Sequence, residues 1–187
     1  MAGATQKPKF FIEPLAARHD RLAFYCGVES LDIYLQKQAG QDFKKHAAVS
    51  FVLRPSGTEI AGYYTLSQYS VQLANLSEDI AKKLPKYPMV PTTLIGRLAV
   101  STAFRGRGLG EMLLMDALYR ILRHRKEVAS AGTVVDAIDN AVVAFFKKYG
   151  FIELPSVPGR LFLPMGTIEN LSNKFSDIIL TIHTHSH

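Results

Sequence analysis

The sequence predicts a single α/β sandwich, a mixed sheet with helices packed against it. Strand-like and helix-like segments alternate along the chain. A central strand runs through a glycine-rich turn straight into a long amphipathic helix. No repeat, low-complexity tract or linker divides residues 8–170, and 187 residues suffice for one core.

Residues 28–47, "VESLDIYLQKQAGQDFKKHA", carry Val28, Leu31, Tyr34 and Leu35 at helical spacing, which predicts an amphipathic helix. The strand "AVSFVLR" (48–54) ends at a Pro-Ser-Gly turn, and "IAGYYTLSQYSVQL" (60–73) completes a β-hairpin. A short helix over 77–84 has Ser77 as its N-cap and Pro85 as its stop. The strand "MVPTTLIGRLAVS" follows, with Pro91 restricting its pairing to the early part. Residues 109–126 predict the long helix, with Leu109, Leu113, Leu114, Ala117, Leu118 and Ile121 on one face. Glu111, Asp116, Arg120 and Arg123 fall elsewhere on it. A buried strand (132–139), a helix over 140–149 and a last strand (159–165) complete the order.

Hydrophobic residues make up 48% of the chain, as in soluble globular proteins, and no apolar run reaches the ~18 residues that would span a bilayer. The N-terminus "MAGATQKPKF" has charge without an apolar core behind it, so a secretion signal is not expected. Cys26 stands alone, which excludes an internal disulfide and favours a reducing, cytoplasmic home. Net charge is +6, from 22 Lys and Arg against 16 Asp and Glu. The excess clusters at Lys44-Lys45-His46, at Lys82-Lys83 with Lys86, and from Arg120 to Lys126. Such islands serve either solubility or, if they converge, a polyanion such as RNA.

The junction "GRLAVSTAFRGRGLGEMLLMDAL" carries the chemistry. Gly106, Gly108 and Gly110 let the backbone approach a ligand and turn its N–H groups inward. The start of the helix adds a positive dipole end, and Arg105 and Arg107 add full charges, a combination suited to a pyrophosphate. A tight turn that merely packs is the alternative for a lone Gly-x-Gly; the flanking strand, arginines and helix outweigh it. No Gly-Lys-Ser/Thr follows, which excludes a Walker loop. The alternate spacing of 106, 108 and 110, late in the chain, does not fit a dinucleotide-binding Gly-x-Gly-x-x-Gly unit.

This loop, Arg105-Gly106-Arg107-Gly108-Leu109-Gly110, resembles the Gln/Arg-x-x-Gly-x-Gly/Ala acetyl-CoA loop of the GNAT family of N-acetyltransferases. Some 35 residues on, Phe145-Phe146-x-x-x-Gly150-Phe151, preceded by Ala141, resembles the Phe-Tyr-x-x-x-Gly-Phe segment that the family places beside the thioester. "FYCGVESLDIYLQKQA" (24–39), "GYYTLS" (62–67) and "IGRLAV" (95–100) are similar to segments of the family's toxins in toxin–antitoxin pairs, a likeness spanning about residues 10–170.

The resemblance implies one N-acetyltransferase domain over 1–187, a central mixed β-sheet flanked by helices, and acetyl-CoA in a cleft between splayed strands. It implies acetylation of the α-amino group of aminoacyl-tRNA, which blocks translation, with a ribbon-helix-helix antitoxin as partner, a homodimer and no metal. Leu98, Ala99 and Val100 would then offer strand backbone to the pantetheine arm and acetyl carbonyl, and residues 105–110 would hold the pyrophosphate. Arg97, preceding the strand, would face the acceptor end of the tRNA or form a structural ion pair. Lys44, Lys45, Lys82, Lys83 and Lys86 would meet tRNA phosphates. Cys26 reads as a small buried apolar residue, since direct transfer needs no covalent intermediate.

In the family a tyrosine at the position of Phe146 protonates the departing thiolate, for which its pKa near 10 suits it. Phenylalanine keeps the ring and lacks the proton; losing a positioned general acid costs about 10²- to 10⁴-fold. Three readings stay open: a Tyr-to-Phe variant, a protein using another acid, or a pseudoenzyme that binds acetyl-CoA without turnover. Tyr149 is the nearest alternative hydroxyl, but three residues on it points about 60° away from Phe146. Acetylation of a small amine or protein N-terminus, and non-catalytic acetyl-CoA or RNA binding, are the rival functions. Residues 171–187 read as a tail whose His183, His185 and His187 could clip a metal or simply fray.

Overall fold

The computed structural model describes residues 9–174. Seven strands form one sheet: β1 (Phe11–Pro14), β2 (Val49–Arg54), β3 (Gly62–Gln72), β4 (Met89–Val100), β5 (Gly132–Asp136), β6 (Ile152–Glu153) and β7 (Arg160–Pro164). Their order is β1-β2-β3-β4-β5-β7-β6, antiparallel except for the parallel β4–β5 pair. A parallel pair needs a crossover, and the long helix α4 (Leu109–His124) supplies it; the other helices are α1 (Glu29–Ile33), α2 (Ala39–Lys44), α3 (Glu78–Ala81), α5 (Asn140–Lys147) and α6 (Met165–Lys174). Among the described residues no helix is long and apolar enough to cross a membrane.

The main core forms where the predicted stripe of α4 meets the sheet. Leu109, Leu113, Leu114, Ala117, Leu118 and Ile121 are all buried, with Tyr64, Ile95, Val135, Phe146 and Ile168 in the same cluster. A second cluster joins Tyr34, Leu35 and Ala39 to Phe24, Cys26, Val52 and Tyr63. Asp116 departs from expectation: it is fully buried in α4, where the Tyr64 hydroxyl and Arg120 Nε (2.9 Å) both donate to its carboxylate. A buried carboxylate is tolerable only when so partnered. The Arg120 guanidinium in turn covers the Phe51 ring at 4.2 Å, and Phe51 stacks on Tyr64.

Several local expectations change. The 28–47 segment is helical but not one regular α-helix, because a π-helical stretch, Tyr34–Gln38, separates α1 from α2. Ser77 occupies the N-cap position of α3, yet its side chain makes no capping bond. Pro91 does not confine pairing: β4 pairs with β3 from Met89 to Val100. The Pro91 carbonyl accepts from Ala131 N–H on the side away from β3, so the missing N–H costs the β3–β4 ladder nothing. The predicted 132–139 strand ends at Asp136, and Asp139 instead caps α5 by accepting from Val142 N–H at 2.8 Å. β1, β6 and α6 were not expected from the pattern: the two strands are short, and only the sheet pairs them. The C-terminal histidines lie outside the described residues.

Candidate active site

One residue opens the sheet. Thr65 pairs with Arg97 and Leu66 with Ile95, so Gly96 is the extra residue of a β-bulge. A bulge bends and twists its strand. On its other edge β4 pairs with β5 only from Thr93 to Ile95, and from Gly96 to Val100 it has no β5 partner. A cleft of about 320 Å³ occupies the gap, its walls including Leu31, Arg97, Leu98, Gly110, Phe145 and Phe146. Backbone N–H and C=O groups on a strand edge that lacks a neighbour are ready partners for an extended ligand.

At the end of β4 the chain makes a short helical turn, Thr102–Phe104, and then the glycine loop. Gly106 (φ 75°) and Gly108 (φ 73°) adopt the left-handed conformation that glycine takes without a Cβ penalty. Gly108 is the N-cap of the 16-residue α4, so the loop amides and the helix dipole lie together. Gly110 differs, being helical: a Cβ there would meet the Phe145 ring at 3.8 Å. Leu109 is buried in the core beneath. Arg105 donates to the carbonyl oxygen of Cys26, and Arg107 covers the Phe104 ring at 5.1 Å, which places both side chains around the loop.

Arg97 does not precede a strand; it sits within β4, its guanidinium carbon 3.5 Å from the centroid of the Tyr34 ring. Among the described residues it has no carboxylate within ion-pair distance, so aromatic stacking orients it towards the cleft. Leu98 and Val100 side chains join the α4 core, while Ala99 faces the opposite cluster with Tyr63. Phe146 is 4% exposed, its ring edge-on to Phe145 and tilted against Phe151 at 5.1 Å. Tyr149 packs edge-on to Phe145 at 5.3 Å without lining the cleft, and burial and the neighbouring Glu111 carboxylate push its hydroxyl up to about 12. Cys26 is buried, and burial together with Asp32 pushes its thiol up to about 11.

The basic islands divide. Lys44 and Lys45 end α2, where His46 lines a groove shared with Arg120 and His124. Lys82 pairs with Glu78 at 3.4 Å, Lys86 Nζ donates to the Ala81 carbonyl, and with exposed Lys83 they surround α3, beside a different pocket. Asp136, unremarked in the sequence, stands at the cleft mouth, where Arg160 grips its carboxylate with two bonds of 2.6 and 2.9 Å. Gly96 was also missed, although an isolated glycine inside a strand pattern signals a bulge.

The profile of the acetyltransferase (GNAT) family matches residues 15–151. The chain is 33% identical over 176 residues to a probable toxin TacT of Sinorhizobium fredii, covering 89% of this chain and 97% of that one. It is 32% identical over 146 residues to a tRNA-acetylating toxin of Mycobacterium tuberculosis, covering 78% and 86%. Its fold superposes on that of AtaT complexed with acetyl-methionyl-tRNAfMet at a TM-score of 0.81, with 29% identity, over 87% of this chain and 98% of the other. The splayed β4–β5 cleft, the glycine loop opening α4 and these likenesses agree: the chain belongs to the acetyltransferase (GNAT) family and is an acyltransferase.

Proposed function

We propose that this protein is the toxin of a toxin–antitoxin pair, acetylating the α-amino group of aminoacyl-tRNA from acetyl-CoA, with Phe146 slowing the transfer. The single observation that carries the reading is the cleft itself, an unpaired β4 edge leading from Phe146 to a glycine loop at a helix N-terminus. Bound acetyl-CoA supplies a thioester activated for attack by an amine.

This chain's residues divide the remaining work. The amides of Gly106, Gly108 and Gly110, with Arg105 and Arg107 around them, suit the pyrophosphate. The backbone groups of Leu98 and Val100, which face the unpaired β5 side, suit the pantetheine and offer N–H donors to the acetyl oxygen, while Ala99 between them turns its own N–H and C=O to β3 opposite Tyr63. Arg97, held over the Tyr34 ring, presents a fixed cation to the phosphate or carbonyl groups of an aminoacyl end. Phe146 shapes the cleft wall and has no proton to give to a departing thiolate, which supports an impaired enzyme.

The names of the two relatives and of the AtaT complex support tRNA as acceptor and a toxin's role. A ribbon-helix-helix antitoxin, a homodimer and a cytoplasmic setting belong to the same reading. Phe146→Tyr is expected to raise acetyl transfer to aminoacyl-tRNA at least tenfold and to stop in-vitro translation only when acetyl-CoA is present. Transfer that ignores tRNA and modifies small amines or peptide N-termini would replace this reading. Tight acetyl-CoA binding with no turnover in either form would leave a binding protein.

A further inference from the structure

A groove of about 590 Å³ lies at the far end of α4 from the glycine loop. Arg120 is twelve residues beyond Gly108, about 18 Å along the helix at 1.5 Å per residue. The groove is nevertheless a neighbour of the cleft on β4, since Thr93 lines the one and Ile95 the other.

Three features set it apart from an ordinary solvated face. Arg120 is held from below: its Nε donates to fully buried Asp116 and its guanidinium lies over Phe51, so its remaining donors are preset at the groove. Opposite it stands His46, the one non-glycine with positive φ among the described residues (φ 57°). Its backbone closes α2, with His46 N–H bonded to Phe43 O and Ala47 N–H to Asp42 O. This is the Schellman arrangement, in which the left-handed residue is usually glycine. Here histidine takes that place, and its side chain lines the groove. Third, Phe43 at the rim is 61% exposed.

The dipole at the end of α4 accounts for basic residues in its last turn, Arg123 and His124, but not for His46, which comes from another element. Glu127 touches His124 from the rim at 3.4 Å, yet no carboxylate lines the groove. A fixed guanidinium flanked by two imidazoles, beside an exposed aromatic ring, fits a nucleic acid, which offers both phosphate and a base to stack; an acidic peptide would use only the polar groups.

Resting on the tRNA reading above, we infer that this groove is a second RNA contact, seating a phosphodiester on Arg120 between His46 and His124 while a base stacks on Phe43. The acceptor end would enter the cleft and the groove would hold the RNA body beside it.

The test measures binding of uncharged tRNA and, separately, of acetyl-CoA by the full chain and its variants. His46→Gly should weaken tRNA binding at least fivefold, leave acetyl-CoA binding unchanged, and leave the unfolding midpoint equal or higher, because glycine relieves the backbone. Arg120→Met should lower the slope of log affinity against log salt by about one. If Arg120→Met fails to fold, His46→Gly and His124→Ala still decide. Wild-type tRNA binding that these variants leave intact would overturn the groove but not the tRNA reading. Absence of tRNA binding in the wild type would overturn both. Loss of an acidic protein partner with tRNA binding preserved would assign the groove to protein and overturn the inference.

Discussion

Gly96 bulges out of the β3–β4 ladder against Thr65, whose Oγ1 would stand 3.2 Å from a Cβ placed on the glycine. Thr65 is buried in the middle of the sheet and has little room to give. The contact couples the bulge to the cleft, because β4 leaves β5 at that residue. Gly96→Val is therefore expected to shift the bulge, narrow the cleft and weaken acetyl-CoA binding at least fivefold. The loss of stability should be only about 1–3 kcal/mol, as for an overpacked core site. Calorimetric titration with acetyl-CoA, beside thermal unfolding, checks both parts. An unchanged affinity would detach the bulge from the cleft's function.

Tyr149 carries the hydroxyl nearest in sequence to Phe146, but its environment argues against proton donation. Burial and Glu111 hold it protonated, pushed up to about 12, and it does not line the cleft. In a Phe146→Tyr background, Tyr149→Phe should leave turnover within about twofold. A tenfold fall would make Tyr149 the acid and remove the proposed role of position 146.

Glu13 sits where Arg54, His19 and Arg18 converge, with bonds of 2.5, 2.8 and 2.8 Å. His19 accepts from Ala16 N–H through Nδ1, so its Nε2–H donates to the carboxylate. Partial burial opposes ionisation, but the three hydrogen bonds overcome it and lower Glu13 from an ordinary 4.5 to about 2. A carboxylate lowered by folding stabilises the native state above its unfolded pKa, and that contribution fades as pH falls through its folded pKa. The gap in unfolding free energy between wild type and Glu13→Gln should therefore be full at pH 6 and shrink between about 4.5 and 2. Urea unfolding across that range measures it. A pH-independent gap would mean the cluster acts by packing alone.

Local chemistry made much of this protein legible in its sequence. The apolar stripe of α4, the loop glycines at 106 and 108 and the Phe145–Phe151 segment depend on residues close along the chain, where periodicity and backbone sterics operate. The same locality explains the misses. Asp116 looked like a surface residue because its partner Tyr64 arrives from β3, 52 positions away. For Arg97 the ion-pair alternative stayed open because nothing nearby in the chain reveals that Tyr34 lies beneath it.

The amino-acid sequence by itself determined the order of the principal elements, the glycine loop that opens α4 and the absence of a hydroxyl at 146. Only the tertiary structure decided that β4 parts from β5 at Gly96, and that His46 shares one groove with Arg120 and His124 while Lys44 faces another pocket and Lys82, Lys83 and Lys86 stay at α3. The reason is register: a bulge and a groove arise between segments brought together by the whole sheet, and no single segment's pattern encodes its neighbour's alignment.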